Sequence, residues 1–369
     1  MTIQKAGPSA PPGLVGAGLP ELEAIVERLG ERRFHARQIY RWIYARRARS
    51  FDSMTDLPAS LRERLASAHS LDWPEVAHVQ RSSDGSSKYL LSPPSGGRME
   101  AVILPEPSRI TFCISAQIGC ALDCHFCLTA QMGFVRHLRA GEIAGQVMLM
   151  LSEIDATRAG RPVNVVMMGM GEALHNYDHA VAAVRLMVDA DGIGISRRRV
   201  TLSTAGMAPG IRRLASEPVR PKLAVSLNAT TDDVRSRLMP INRRYPLADL
   251  MDACAAWPLA PRERLTFEYV LLRGINDSPA DPGRLARLTR RHGLKAKVNL
   301  IPFNAGGGLP YEEPSEDSVR RFRDGLLAEG VPASVRKNRG RDISAACGQL
   351  ALAGGSEGGS GAPGPLATE

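Results

Sequence analysis

Cys120, Cys124 and Cys127 crowd into the stretch GCALDCHFCLTA, a C-x3-C-x2-C spacing, and the chain of 369 residues has only six cysteines. The other three, Cys113, Cys254 and Cys347, are scattered. Thiolates so close together suit a metal centre or a redox pair. A structural zinc asks for four ligands, usually as two close pairs far apart in sequence, and here there is one triplet. His125 adjoins Cys124, and adjacent side chains rarely face one ion. Three thiolates suit an iron–sulfur cluster, holding three irons and leaving the fourth open to a substrate. The spacing favours the cluster. An open-site zinc with three cysteines stays as the alternative, although no glutamate-bearing deaminase signature accompanies it.

These thiols must be positioned by a fold, and composition bounds which. Apolar residues make up 44% and charged residues 23%, as in a soluble globular protein. There is no charged-then-apolar signal pattern and no apolar run long enough for a bilayer. A cytoplasmic protein with no membrane partner is expected, its thiols reduced. A net charge of +9 favours a polyanionic partner, solvated arginines being the plainer explanation.

Residues 1–18 are rich in Pro, Gly and Ala and read as a flexible N-terminus. Residues 19–75 read as a small helical domain. Leu22, Ile25, Val26 and Leu29 recur at helical spacing, and Gly30 ends the pattern. RRFHARQIYRWIYARRARS follows, with seven arginines from Arg32 to Arg49 interleaved with Phe34, Tyr40, Trp42 and Tyr44. Such a surface could hold phosphates and stack bases, or be an amphipathic helix with wet arginines. A third helix is expected over 59–68. Residues 76–108 read as a hairpin turning at Asp84-Gly85 plus linker strands.

From 109 to 337, strands and helices alternate in six units: RITFCIS, VNVVMM, RVTLS, KLAVSL, TFEYVLL and KVNLI each precede a helical pattern. Alternation of this kind predicts an α/β fold with a parallel sheet, curled as a barrel or doubly wound. Ligands then sit at the carboxyl ends of the strands. The cysteine loop, GMGE, STAG, SLN and PFN all fall just after strands, so they should converge on one mouth. Residues 338–352 form a C-terminal loop carrying Cys347, and 353–369 read as a disordered tail.

The cysteine triplet followed by Gly-Met-Gly-Glu resembles the radical S-adenosylmethionine (SAM) superfamily. CISAQIGCALDCHFCLTAQMGF, VVMMGMGEALHNYDHA, SLNATTDDVRSRLMPINRRYPL and VRKNRGRDISAACGQL together resemble the rRNA adenine C2-methyltransferases of RlmN type, over about 22–352. That resemblance implies a partial (β/α)6 TIM-like barrel behind a small helical domain. It implies a [4Fe–4S] cluster on Cys120, Cys124 and Cys127, and SAM held by Gly171, Glu172, Ser203, Ser226, Leu227, Asn228 and Asn304.

The family mechanism implies that Cys347 accepts a methyl group from one SAM and that a radical from a second SAM takes a hydrogen atom from it. The methylene radical adds to adenine carbon 2, crosslinking protein and RNA. Cys113 then releases the product by forming a disulfide with Cys347, and Glu100 matches a glutamate proposed as proton acceptor. Without the resemblance, Cys113 reads as a buried strand cysteine and Cys347 as a loop thiol. Cys254 matches no motif and reads as core packing. Many relatives carry His where Asn228 stands, and often Pro where Ala173 and Ala305 stand.

The implied partners are 23S rRNA, tRNA and a flavodoxin- or ferredoxin-type electron donor, and a monomer is expected. Arginines of the N-terminal helix, with Arg197 to Arg199, are candidates to hold the RNA backbone. Three competitors remain. One is a sister activity that methylates carbon 8. Another is a tRNA methylthiotransferase, which needs a second cysteine set that Cys113, Cys254 and Cys347 are too scattered to supply. The third is a non-catalytic zinc RNA-binding module.

Overall fold

The computed structural model of the chain describes residues 13–155, 160–305 and 308–352. Three helices come first: α1 (Leu19–Arg28), α2 (Phe34–Tyr44) and α3 (Ala59–Ala68). α1 buries Leu22 and Val26, and α2 buries Ala36, Ile39, Tyr40, Ile43 and Tyr44, so the expected apolar stripes face one core. α2 stops well before Ser50, and the chain turns at Arg47 with φ +56°. Residues 13–18, expected to be loose, are packed instead. Leu14 is buried, Leu14 N–H donates to Ser70 O (2.8 Å), and Tyr44 Oη donates to Ala17 O (2.7 Å). Residues 1–12 and the tail 353–369 lie outside the described residues.

The sheet begins with β1 (Glu75–Arg81), β2 (Ser87–Ser92), β3 (Met99–Glu106) and β4 (Arg109–Cys113), an antiparallel meander turning at Asp84-Gly85. A small hairpin of β5 (Gln117–Gly119) and β6 (Phe134–His137) encloses the cysteine loop and α4 (Leu128–Gln131). α5 (Ala140–Ile154) then leads to β7 (Val163–Met167), which pairs in parallel with β4. Next come α6 (Tyr177–Val188), β8 (Val200–Thr204), α7 (Ala208–Ala215), β9 (Lys222–Ser226), α8 (Asp232–Leu238) and α9 (Leu247–Ala255). The series closes with β10 (Leu265–Leu271), α10 (Asp281–Arg291), β11 (Ala296–Pro302), α11 (Glu316–Ala328) and β12 (Ala333–Val335).

Within the main sheet the pairings along β4-β7-β8-β9-β10-β11-β12 are all parallel. The six expected strand–helix units are present. The curled sheet has β1 and β12 at its edges, which makes the barrel partial. Val, Leu and Phe side chains such as Val165, Leu202, Val225, Phe267 and Val298 fill the core between sheet and helices.

Across the open side runs a strap formed by the residues after β12. Toward the meander, Ser82 Oγ and Ser83 N–H donate to the Asp342 carboxylate (2.6 and 3.2 Å), and Gly340 N–H donates to Asp84 Oδ2 (3.0 Å). Toward the far edge, Arg336 N–H donates to Leu300 O (2.8 Å) and Asn338 Nδ2 to Pro302 O (3.2 Å).

Candidate active site

The strand ends open onto a cavity of about 150 Å³ that continues into open solvent. Its lining includes Cys120, Cys124 and Cys127 from the loop, Gly171 and Glu172 after β7, Ser203 on β8, Ser226 and Asn228 at the end of β9, and Cys347 on the strap. The convergence expected from sequence is therefore present for these residues.

The cysteine loop owes its shape to Gly119. Its φ is +71°, and a Cβ there would lie 1.8 Å from Gly133 O. Cys120 N–H donates to that same carbonyl (2.9 Å), and His125 N–H donates to Leu238 O (3.0 Å), so the loop is gripped at both ends. Burial pushes the Cys120 thiol up to about 12, and it raises Cys124 and Cys127 as well. Their mutual proximity adds to this for Cys120 and Cys124. Losing three protons here requires a compensating positive centre, which is the chemistry of a thiolate-bound metal.

In a [4Fe–4S] cluster each of three thiolates binds its own iron and the fourth iron stays open, so three thiols make a complete donor set. The donor set fits the cluster.

Glu172 is buried, with Oε2 accepting from Ala205 N–H (2.7 Å) and Oε1 from Leu174 N–H (3.1 Å). Burial raises its carboxyl above the usual range, and these hydrogen bonds only partly offset it. Gly171 must be Gly: its φ is +89°, and a Cβ would meet Gln117 Cβ at 2.4 Å. Asn228 also sits at positive φ (+56°), a conformation Asn tolerates and one that accounts for a short amide at this position. Its Oδ1 accepts from Val270 N–H (2.8 Å). Leu227 points into the core and offers the mouth only its backbone, whose carbonyl accepts from Arg235. Asn304 is outside the cavity lining and grips the strap. Its Nδ2 donates to Gln349 Oε1 (2.8 Å), and its Oδ1 accepts from Arg341 Nε (2.8 Å).

Cys113 ends β4, buried behind the cavity wall. Burial pushes its thiol up to about 12, and neighbouring Cys347 adds to the rise. Cys347 keeps solvent contact at the rim, but it is crowded on its other sides, and lost water raises its thiol too. Glu100 is buried on β3. Its Oε1 lies 3.1 Å from Lys88 Nζ, and its Oε2 accepts from Ala351 and Leu352 N–H (3.0 and 3.3 Å). It thus holds the far end of the strap. Leu128 N–H donates to Gly348 O (2.7 Å), which ties the strap to the cysteine loop beside Cys347. Cys254 packs in the core, as expected.

Four further residues were not singled out from sequence. Arg235 is fully buried and donates to Leu227 O (3.0 Å), Ala205 O (2.6 Å) and Ser226 O (3.2 Å), binding two mouth loops together. It stands within a quoted family stretch, but a charged residue on a short helix reads as surface. Lys88 reads as the polar start of a strand. Glu268 lines the cavity, 3.5 Å from Arg336 Nη2, with one buried oxygen lacking a partner. Burial disfavours the Arg336 charge, but Glu268 and Cys347 more than offset this and raise its pKa. Nothing local in the sequence joins these two.

A partial parallel barrel with three thiols and a glycine-glutamate turn at its mouth defines a protein of the radical SAM class. A family model described as "Radical SAM superfamily" matches residues 114–281, and one described as "Ribosomal RNA large subunit methyltransferase N-terminal domain" matches residues 13–71. A relative from an Anaeromyxobacter species, a dual-specificity RNA methyltransferase RlmN, is 50% identical over 94% of this chain and 93% of its own. One of the same name from Syntrophobacter fumaroxidans is 46% identical over 90% of this chain and 96% of its own. A crystal structure of a radical SAM methyltransferase from Sphaerobacter thermophilus superposes with a TM-score of 0.86, at 45% identity over 92% of this chain and 99% of that one. The chain belongs to the RlmN family of RNA methyltransferases.

Proposed function

We propose that this enzyme methylates carbon 2 of an adenosine in 23S rRNA and of the adenosine 3′ to the anticodon in some tRNAs. The observation that carries this reading is the meeting of Cys347, from the C-terminal strap, with the three-cysteine loop on one cavity. Cys113 lies close enough to feel its charge.

Cys120, Cys124 and Cys127 would hold the [4Fe–4S] cluster. Glu172 would face the SAM ammonium, with Gly171, Ser203, Ser226, Asn228 and the backbone of Leu227 around the rest. Asn304 would act on SAM from the strap side. When bound, the cluster and SAM supply a one-electron cleavage, which an electron-poor ring carbon needs because it is no nucleophile.

The chain's own residues do the remainder. The Cys347 thiolate takes a methyl group by displacement and becomes a thioether. That carbon, after losing a hydrogen atom, bonds to C2 and ties the RNA to the protein, and the adduct gives up one electron to the bound cofactor and the C2 proton to a base. Cys113, as thiolate, attacks the Cys347 sulfur. The S–S bond forms, the C–S bond breaks, the released carbon takes up a proton, and the base leaves with its methyl group; a dithiol reductant then reopens the disulfide. For Glu100 to accept the C2 proton, Ala351 and Leu352 must first leave its Oε2. Two SAM are used per turnover, and a flavodoxin- or ferredoxin-type protein gives the electron.

The test is anaerobic reconstitution with SAM, reductant and an rRNA fragment bearing the target, then mass spectrometry of the digested RNA against C2 and C8 standards. The expected product is 2-methyladenosine, absent with Cys347→Ala. 8-Methyladenosine would keep the thiol chemistry and overturn the regiochemistry.

A further inference from the structure

The mouth occupies one end of the barrel. The other end, where the parallel strands begin, is basic. Arg198, Lys222, Arg262, Arg264, Lys295 and Lys297 stand at the entries to β8, β9, β10 and β11, all exposed. Among the described residues none of these six has a carboxylate within ion-pair distance. Three of them, with their neighbours, crowd together. Burial, then Lys297, then Arg199 and Arg197, hold the Lys222 ammonium below its ordinary value, and Glu263 only partly offsets this. Arg109, Arg198, Arg199 and Lys222 line an open depression there with Ser108 and Asn164. Arg199 Nη1 is fixed by Asn164 Oδ1 (3.1 Å), and Arg109 by Glu106 (2.6 Å).

The arginines around α2, which the sequence suggests for RNA, are largely engaged within the protein. Arg37 and Arg41 both bind Asp191, Arg47 binds Asp155, and Arg33 binds Glu23. Arg46 and Arg49 lie over the rings of Trp42 and Trp73 (4.1 and 3.8 Å). The six floor residues, by contrast, carry exposed charge that no carboxylate among the described residues neutralises.

We propose that this floor is a second contact surface for the RNA backbone, the Arg109–Lys222 depression seating a phosphate. The proposal rests on RNA being the substrate. β9 runs from Lys222 to Ser226, so floor and mouth are separated by roughly 13 Å of strand at about 3.3 Å per residue. An RNA touching both must therefore be a folded molecule that reaches around the barrel wall, not the target loop alone. An acidic electron-donor protein fits the floor less well, because its electron must arrive at the cysteine loop at the opposite end.

The experiment compares the holoenzyme with the triple variant Arg198→Glu, Lys222→Glu, Lys297→Glu. A control carries the same charge change on the outer helices: Arg287→Glu, Arg291→Glu, Arg321→Glu. Binding of a long rRNA fragment is measured from low to high salt, with thermal melting to verify folding. The floor variant should bind at least tenfold more weakly than the control. Its log–log salt slope should be shallower by about 2 to 3, as for three lost phosphate contacts. Dithionite-driven SAM cleavage without RNA should match the parent, since none of the three residues lines the cysteine-loop cavity. If the Glu variant melts early, the Gln triple takes its place.

Floor and control variants that bind alike overturn the proposal. So does a floor variant that binds RNA normally but loses turnover only with a protein electron donor. A parent protein with no salt-dependent RNA binding overturns the substrate reading as well.

Discussion

Lys88 Nζ lies 3.1 Å from Glu100 Oε1, and the two side chains are only 3% and 2% exposed. The pair is the buried anchor under the strap that carries Cys347. Removing one partner leaves an uncompensated charge in the interior. Lys88→Met should cost about 3–5 kcal/mol in urea unfolding, and adding Glu100→Gln should recover part of it. A double variant no more stable than Lys88→Met would show that the pair does not act as a unit.

Asp84 gives the strap a pH limit. Burial raises its carboxyl, but hydrogen bonds from Ser86, from Gly340 N–H and from Ser82 outweigh that and hold it at about 2. Its folded value is depressed, so its contribution is complete above the ordinary value of 3.8 and disappears as pH falls through about 2. Pepsin cleavage within 336–352 should stay slow near pH 4 and accelerate toward pH 2. Asp84→Asn should weaken protection throughout and flatten that dependence.

Gly119→Ala forces a Cβ against Gly133 O at a φ that side chains rarely adopt. The cysteine loop must then shift. Iron per chain after reconstitution, and the broad absorption near ~400 nm from thiolate–iron charge transfer, should fall by more than half. The remaining fold should melt within a few degrees of the parent, because the small β5–β6 hairpin is separate from the main sheet.

Cys113→Ala removes the thiol that would release the product. Under turnover conditions this variant should accumulate protein covalently joined to RNA, seen as a retarded band that survives denaturation. Cys113→Ala with Cys347→Ala should show none. Free methylated product from Cys113→Ala at the parental rate would remove Cys113 from the reaction.

Arg37→Ala with Arg41→Ala breaks both contacts to Asp191, which join α2 to the loop after α6. These are half-exposed pairs, so the loss of stability should be about 1 kcal/mol or less. RNA affinity should fall less than in the floor variant. A larger fall would return the RNA contact to α2.

Much of this was legible in the sequence where the relevant signal is local. Leu22 and Val26 mark α1 by periodicity, and Ser226 and Ser203 stand at strand ends because each strand carries a turn right after it. The C-x3-C-x2-C loop announces its own chemistry. The rest depends on partners far apart in the chain. Glu100 meets Lys88 across a strand pair and Ala351 across the strap, and Arg336, just past β12, meets Glu268 on β10 across the intervening β11. Arg235 reads as solvated because its burial comes from the mouth loops folding over it. The three-residue β12 and the β5–β6 hairpin are too short for periodicity to mark. The ion pairs of the α2 arginines are not legible either, since Asp191 and Asp155 lie on later elements.

The strap has a consequence for biosynthesis. Its residues are translated after every strand they bridge. While a nascent chain has its sheet in place but its strap still inside the ribosome, the thiols at Cys120, Cys124 and Cys127 face an unclosed barrel with neither Cys347 nor Gly348 against them. During that interval the three thiols are open to solvent on the side the strap later covers. The same order of synthesis keeps the Cys347 thiol away from the loop until the strap has folded across.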